Sequence, residues 1–392
     1  MMKNTLIKIH LLFVFAIILL SLVGCQPADQ KDGVVYNATD YGLSVSNSGE
    51  VNSRRLQALI DSLAKTGGTV YIPAGEYEFC ENGRQTYGSH CIKMRSGVNI
   101  KGDGGSTVLR PVGLSDYGLD MFYFNDYLDI GEPNYLVGCS FEDFVIDASD
   151  TSCRTYTSAG KGFMFNLFRD CHFTRVTVIN TDATGFGIDC PIDSSIIGCT
   201  AIGCGKAAGV NSSGASGFGI GYGYSDEESI IISDCIARGN RKFGFFFEHQ
   251  GRFSPQMYSA EPKTAFSVNG CYASENLYNF GGICSSSVSY SSCISERAKE
   301  YGFYFESSYE YSVLGCIVTA CPTGVAVNNS NAEWGVGEIN VSDCTFTSVT
   351  QYDILAKGSL ARLVLKNNRS DLNLVSLCDT AVDLINENNS WN

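Results

Sequence analysis

The sequence predicts an all-β solenoid of short strands and turns, closed at its N-terminal end by one short helix. Three observations predict it. Cys139, Cys171, Cys199, Cys235, Cys271, Cys293, Cys316 and Cys344 each follow a small or polar residue and precede a short β-prone stretch, at intervals of 32, 28, 36, 36, 22, 23 and 28 residues. A second phrase, Gly-aromatic-x-aliphatic, recurs as KFGFFFEH, EYGFYFES and PTGVAVNN, and with longer gaps as TGFGIDC and SGFGIGY. The units are rich in Val, Ile, Phe and Tyr and bounded by Gly, Asn, Ser and Asp, a composition of strands and turns rather than helices.

A coil of roughly 22 residues holds three such strands and three turns. A Cys at one fixed place per coil is then a small buried hydrophobe stacked on itself, which accounts for most of the 17 cysteines without disulfides. Cys80 and Cys91 flank a polar loop outside the repeat and are the disulfide candidates, in a compartment that permits one. No CxxC occurs and three His remain beyond the leader (His90, His172 and His249), so no structural zinc site is expected.

The first helix follows from a cap and a stripe. Asn52 or Ser53 is placed to cap a helix carrying Leu56, Leu59, Ile60 and Leu63 at helical spacing, ended by Gly67-Gly68. GGTVYIPAGEYEF then reads as strand, Pro-Ala-Gly turn, strand. A solenoid needs such a cap, because its first coil otherwise leaves an unpaired edge.

Residues 1–24 read as an address. Lys3 and Lys8 precede an apolar run from Leu11 to Leu22, too short for a comfortable membrane span and ordered like a secretory signal. The run ends in Leu22-Val23-Gly24-Cys25, which resembles the bacterial lipoprotein signal. That resemblance implies cleavage before Cys25 and lipid on Cys25; Gln26 rather than Asp implies outer-membrane sorting, on the periplasmic side or at the cell surface. The expected division is 1–24 signal, 25–34 lipidated Cys and tether, 35–380 solenoid, 381–392 C-terminal tail.

Composition narrows the partners. With 44% hydrophobic and 17% charged residues the chain is not disordered. Forty-one acids against 27 bases give −14; loss of a leader holding Lys3 and Lys8 leaves 25 bases and −16. That charge argues against nucleic acid and against electrostatic binding to anionic membranes.

YNATDYGLSVS, LQALIDSLAKTGGTVYIPAGEYEF and SGVNIKGDGGSTVLRP, over about residues 35–112, resemble the N-terminal region of the pectate-lyase-like superfamily. The resemblance implies a single-stranded right-handed parallel β-helix, and a polysaccharide or oligosaccharide as substrate. It is compatible with hydrolases, lyases, epimerases and non-catalytic proteins. Asn180-Thr181-Asp182 looks like the first motif of polygalacturonase-like hydrolases; their later Asp pair, Gly-His-Gly and Arg-x-Lys have no match here, nor has the Asp-Pro-His of uronan epimerases.

Alternation along each strand places the candidate chemistry. Phe186 and Ile188 point in and Asp189 out; Phe245 and Phe247 in and Glu248 out; Ile283 in, with Cys284 and Ser286 out; Phe303 and Phe305 in and Glu306 out. The last outward position reads, coil by coil, Asn166, Asp189, Gly221, Glu248, Ser286, Glu306, Asn328. Coils lie ~4.8 Å apart, so Asp189 and Glu248 are separated by roughly 9–10 Å across an open floor of Gly219 and Gly221. Inverting glycosidases need two carboxylates at roughly 6.5–9.5 Å.

The candidate catalytic residues are therefore Asp189, Glu248 and Glu306, with His249 as orienting group or acid/base. Arg241, Lys242 and Arg252 are candidates for substrate binding, and Tyr222, Tyr224 and Tyr304, with Tyr258, for stacking on sugar rings. Asp226, Glu227 and Glu228 form a turn able to hold calcium. The favoured expectation is an inverting glycoside hydrolase that requires no metal. The alternatives are a polysaccharide lyase or uronan epimerase using Arg, Lys or His as base, with calcium where the uronate needs it, and a non-catalytic glycan-binding solenoid.

Overall fold

The computed structural model describes residues 33–125, 134–209, 211–252, 254–284, 287–307, 310–330, 337–372, 374–378 and 383–391. The expected signal, tether and Cys25 lie outside them. From Val35 onward the chain winds into three parallel ladders. The first runs through Leu119–Phe124, Phe163–Thr174, Phe186–Ile192, Phe218–Tyr222, Phe243–His249, Tyr278–Ile283, Tyr301–Glu306 and Thr323–Asn329. The second includes Ser194–Ile197, Ile230–Ser233 and Phe266–Asn269, and the third Thr200–Ile202, Ile236–Arg238 and Tyr272–Ser274. Each strand pairs with its counterpart one coil away.

The repeated phrase before each Cys has a backbone cause. Gly138, Asp170, Gly198, Asp234, Gly270, Ser292, Gly315 and Asp343 all have φ between 52° and 65°, the left-handed region that favours Gly, Asp and Asn. Gly198, Asp234, Gly270, Ser292, Gly315 and Asp343 turn the chain from the second ladder to the third, whereas Gly138 and Asp170 turn it one corner earlier, before the second ladder. Each drops the following Cys inside, where none is more than 1% exposed. The thiols satisfy carbonyls within and between coils: Cys235 Sγ donates to Ser233 O of its own coil at 3.2 Å and to Ile196 O of the preceding coil at 3.4 Å. Cys80 and Cys91, the expected pair, are both free thiols in this structure.

The last turns of the solenoid use Asn where earlier ones use Cys. Asn367 and Asn388 have φ of 55° and 53°, and the Asn368 side chain accepts from Cys344 N–H at 3.0 Å. The Asn389 side chain accepts from Asn368 N–H at 2.7 Å. Val375–Cys378, Asp383–Glu387 and Ser390–Trp391 therefore form a further coil. The expected tail at 381–392 is corrected: the repeat continues without the cysteine that marked it.

A column of stacked phenylalanines fills the interior. Phe163, Phe186, Phe218, Phe245, Phe280 and Phe303 stack at centroid distances of 5.3, 4.7, 4.7, 5.1 and 4.8 Å, all fully buried. Phe280 sets the register of its strand. It aligns Gly282 with Phe247 and Phe305, and Ile283 with Glu248 and Glu306. Ile283, expected inside, thus stands on the outward row, and Ser286 lies outside the described residues.

The capping helix spans Gly49–Leu63 and buries Leu56, Leu59, Ile60 and Leu63. Its start is earlier than expected: Ser48 is the cap residue, and Asn52 and Ser53 lie inside the helix, fully buried. They fasten it to the first coils. Asn52 Nδ2 donates to Ser44 O at 3.0 Å and Glu78 O at 3.2 Å, and Ser53 Oγ donates to Cys80 O at 2.9 Å.

Candidate active site

The outer face of the first ladder carries two rows of side chains in strict register. One reads Asn166, Asp189, Gly221, Glu248, Ile283, Glu306, Asn328; the other reads Tyr123, Met164, Gly187, Gly219, Phe246, Gly281, Tyr304. Asp189, Glu248 and Glu306 are on one wall, as alternation requires. Asp189 and Glu248 line one trough of about 160 Å³ with Lys161, Gln250, Gly187, Gly219, Gly221 and Phe246. Ser158 and Lys161 are shared with an adjoining hollow of about 340 Å³ bounded by Gln85, Tyr87, Asp120, Tyr123 and Asn125.

Lys161 is the residue that sequence reasoning missed. It follows the turn at Ser158–Gly160, where φ is 69° and 93° at the two ends. The fully buried Asp120 carboxylate accepts from Gly160 N–H at 2.8 Å, Lys161 N–H at 2.7 Å and Gln85 Nε2 at 2.6 Å. The Lys161 stem then lies across Gly187, where any Cβ would collide with it. One signal was legible: a Lys just before a Gly-aromatic strand, facing a coil whose outward position is bare.

The glycine floor is less open than expected. The Asp189 carboxylate and the Gln250 amide occupy the space above Gly221, while a side chain at Gly219 would meet Thr184 first and the Phe186 carbonyl beyond it. Burial pushes the Asp189 carboxyl up, and the Lys161 charge and the Gly221 N–H oppose that rise. With the Asn166 amide oriented to satisfy both its ends, its nitrogen donates to Asp189 Oδ2 at 2.9 Å and its oxygen accepts from Asn125 at 3.2 Å. Asp189 is thus held from both sides along the row, one coil from the bare position.

The other expected residues fall elsewhere. His249 is 4% exposed and faces a loop: its Nδ1 accepts from Gly251 N–H at 3.0 Å, which leaves Nε2 to donate to Ala260 O at 3.1 Å. It anchors that loop and is corrected from acid/base. Tyr222 is fully buried between His249 and Phe266 and offers no face to a sugar. Tyr224 packs edge-on to Tyr258, outside the trough lining. Arg241 Nε donates to Ala208 O at 3.0 Å and supports a surface loop. Lys242 sits over the Phe243 ring, 5.8 Å from its centroid. The Arg252 side chain lies outside what the structure describes. Tyr304 is half-buried and donates to Glu306 Oε2 at 3.2 Å, two coils beyond Glu248. Asn180-Thr181-Asp182 forms a turn between the third and first ladders, with Asn180 at φ 53° and Asp182 buried 3.6 Å from Lys206 Nζ.

The acids of the 226–228 turn are each partnered within the chain. Asp226 pairs with Lys263 at 2.9 Å and Glu227 with Arg169 at 3.0 Å. Glu228, 1% exposed, turns back on its own loop and accepts from Gly223, Tyr224 and Ser225 N–H at 2.7, 3.0 and 3.2 Å. Among the described residues no group of three His, Cys, Asp or Glu is placed to hold a metal.

Glu228 supplies a pH prediction. Burial pushes its carboxyl from 4.5 up to about 7. The folded chain then holds this proton more tightly than the unfolded one. The stabilisation is full below pH 4.5 and is lost as pH rises through about 7. In thermal melts, wild type is expected to lose stability relative to Glu228→Gln across that window; a constant difference between the two would refute it.

No family model matches the chain. Over 163 residues, 40% of this chain, it is 39% identical to mannuronan C5-epimerase AlgE1 of Azotobacter vinelandii; the match spans 11% of that protein's length. Among solved structures, the A-module of the Azotobacter vinelandii mannuronan C-5 epimerase AlgE6 superimposes over 91% of this chain and 99% of the module, with a TM-score of 0.62 and 16% identity. The tailspike protein of E. coli bacteriophage HK620, in complex with pentasaccharide, superimposes over 91% of this chain and 66% of its own, with a TM-score of 0.60 and 15% identity. The fold is that of a parallel β-helix.

Proposed function

We propose that the trough binds a polysaccharide and exchanges the C5 proton of a uronate unit, as an epimerase. The observation that carries this reading is the Lys161 ammonium laid over Gly187 in one trough with Asp189 and Glu248. A C5 proton beside a carboxylate becomes removable only when the charge spreading into that carboxylate is stabilised, and a fixed ammonium in a partly dry site does so. Glu248 takes the C5 proton as base. Asp189, its carboxyl raised by burial, returns a proton to the other face of the ring and inverts C5. If the oxygen at C4 leaves before that proton returns, the same intermediate gives β-elimination.

This corresponds to the alternative expectation rather than the favoured one. The carboxylate spacing suits an inverting hydrolase equally. The 39% identity to a mannuronan C5-epimerase and the central cation, which proton exchange uses and inverting hydrolysis does not, support the epimerase. Incubation of the full chain with polymannuronate in D2O tests it. The expected result is deuterium at C5 of inverted units in uncut chains. New reducing ends without deuterium establish hydrolysis instead; unsaturated, ultraviolet-absorbing ends establish elimination.

The anchor is proposed on the signal alone: lipid on Cys25 holds the β-helix at the outer membrane. Labelled palmitate should enter the wild-type protein and not Cys25→Ser, which should leave the membrane fraction. Equal labelling of the two would refute it.

A further inference from the structure

Past Glu248 the outer face of the first ladder changes character. Phe246 lines the trough and packs on Phe243 at 4.5 Å, which in turn meets Tyr278 at 4.9 Å. Tyr278, Tyr301 and Tyr304 then form a cluster with centroids 4.8–5.3 Å apart and ring planes within 23° of parallel. All three tyrosines are partly exposed. The interior of these coils is already filled by Phe245, Phe280 and Phe303, so this outer cluster adds nothing to the core that the core lacks. An aromatic surface kept on the outside of a sheet marks a binding surface.

We infer that this cluster is a stacking platform for pyranose rings of the same polysaccharide, several units along the chain from the reacting one. The inference rests on the proposed reading of the trough. Two features favour a sugar over a protein partner. The platform is continuous with the trough through Phe246: Tyr304 shares the row of Phe246, and Tyr278 and Tyr301 begin the neighbouring strands of the same ladder, so one chain laid along the β-helix axis crosses both. Its rim is polar, with Glu306 accepting from the Tyr304 hydroxyl at 3.2 Å and Lys242 over Phe243; rings with apolar faces and hydrogen-bonding tips suit the faces and hydroxyls of a sugar. Strand spacing of ~4.8 Å is close to the length of one pyranose along a chain, so successive sugars meet successive coils.

The test is binding of long polymannuronate and of a mannuronate trimer to the full chain, wild type and the double variant Tyr301→Ala/Tyr304→Ala. The ratio of trimer Kd to polymer Kd should fall about tenfold when both rings are removed. An unchanged ratio overturns the platform. Should the alanine pair fail to fold, Tyr301→Leu/Tyr304→Leu keeps the bulk without the flat ring and should lower the ratio in the same direction. Polymer preference that depends on the rings in a protein with no C5 exchange would keep the platform and defeat the epimerase; C5 exchange with an unchanged ratio would do the reverse.

Discussion

Lys161→Met is expected to lower turnover of polymannuronate by about 100- to 1000-fold, roughly 3–4 kcal/mol of transition-state stabilisation. Methionine keeps an unbranched stem across Gly187 and removes only the charge, so packing is preserved. The loss should fall on kcat more than on KM, because the ammonium is needed most when charge moves into the sugar carboxylate. A second readout separates this from a structural effect. Lys161 opposes the upward push that burial exerts on the Asp189 carboxyl. Without it that carboxyl rises further and stays protonated to higher pH, so the alkaline limb of the residual activity moves up. Turnover within about threefold of wild type would remove the basis of the proposed chemistry.

Phe218→Ala is expected to cost about 3–5 kcal/mol of stability. Phe218 is fully buried and stacks on Phe186 and Phe245 at 4.7 Å on either side, with planes within 10° and 2° of parallel. Its removal breaks the column beneath the strand that carries Gly219 and Gly221, and parallel neighbours cannot close the gap without sliding the coils. Urea denaturation should show a lower midpoint with little change in slope. A shift below about 1 kcal/mol would mean that the column is not a continuous core.

Much of the fold was legible because a solenoid writes one physical requirement many times. A left-handed turn residue before an inward side chain recurs at Gly198, Asp234 and Gly270, and repetition separates that signal from chance. Where the side chain changes but the requirement does not, the pattern hides the coil: Asn368 and Asn389 sit where earlier coils have Cys, and the sequence there reads as a tail. The helix start is hidden similarly. Asn52 and Ser53 have the chemistry of caps, and the first coils use that chemistry inside the helix to fix it in place.

Sequence by itself determined which residues share the outer wall, because strand alternation and coil stacking leave no other arrangement for Asp189, Glu248 and Glu306. Tertiary structure alone decided which neighbours complete that wall. Lys161 lies in the trough with Asp189 only because Gly187, a coil further on, has no side chain and Asp120 grips the preceding turn. His249, adjacent to Glu248 in sequence, faces a loop instead. Alternation is a local property of the backbone, whereas the path of a long side chain depends on the space left by residues far away in the chain.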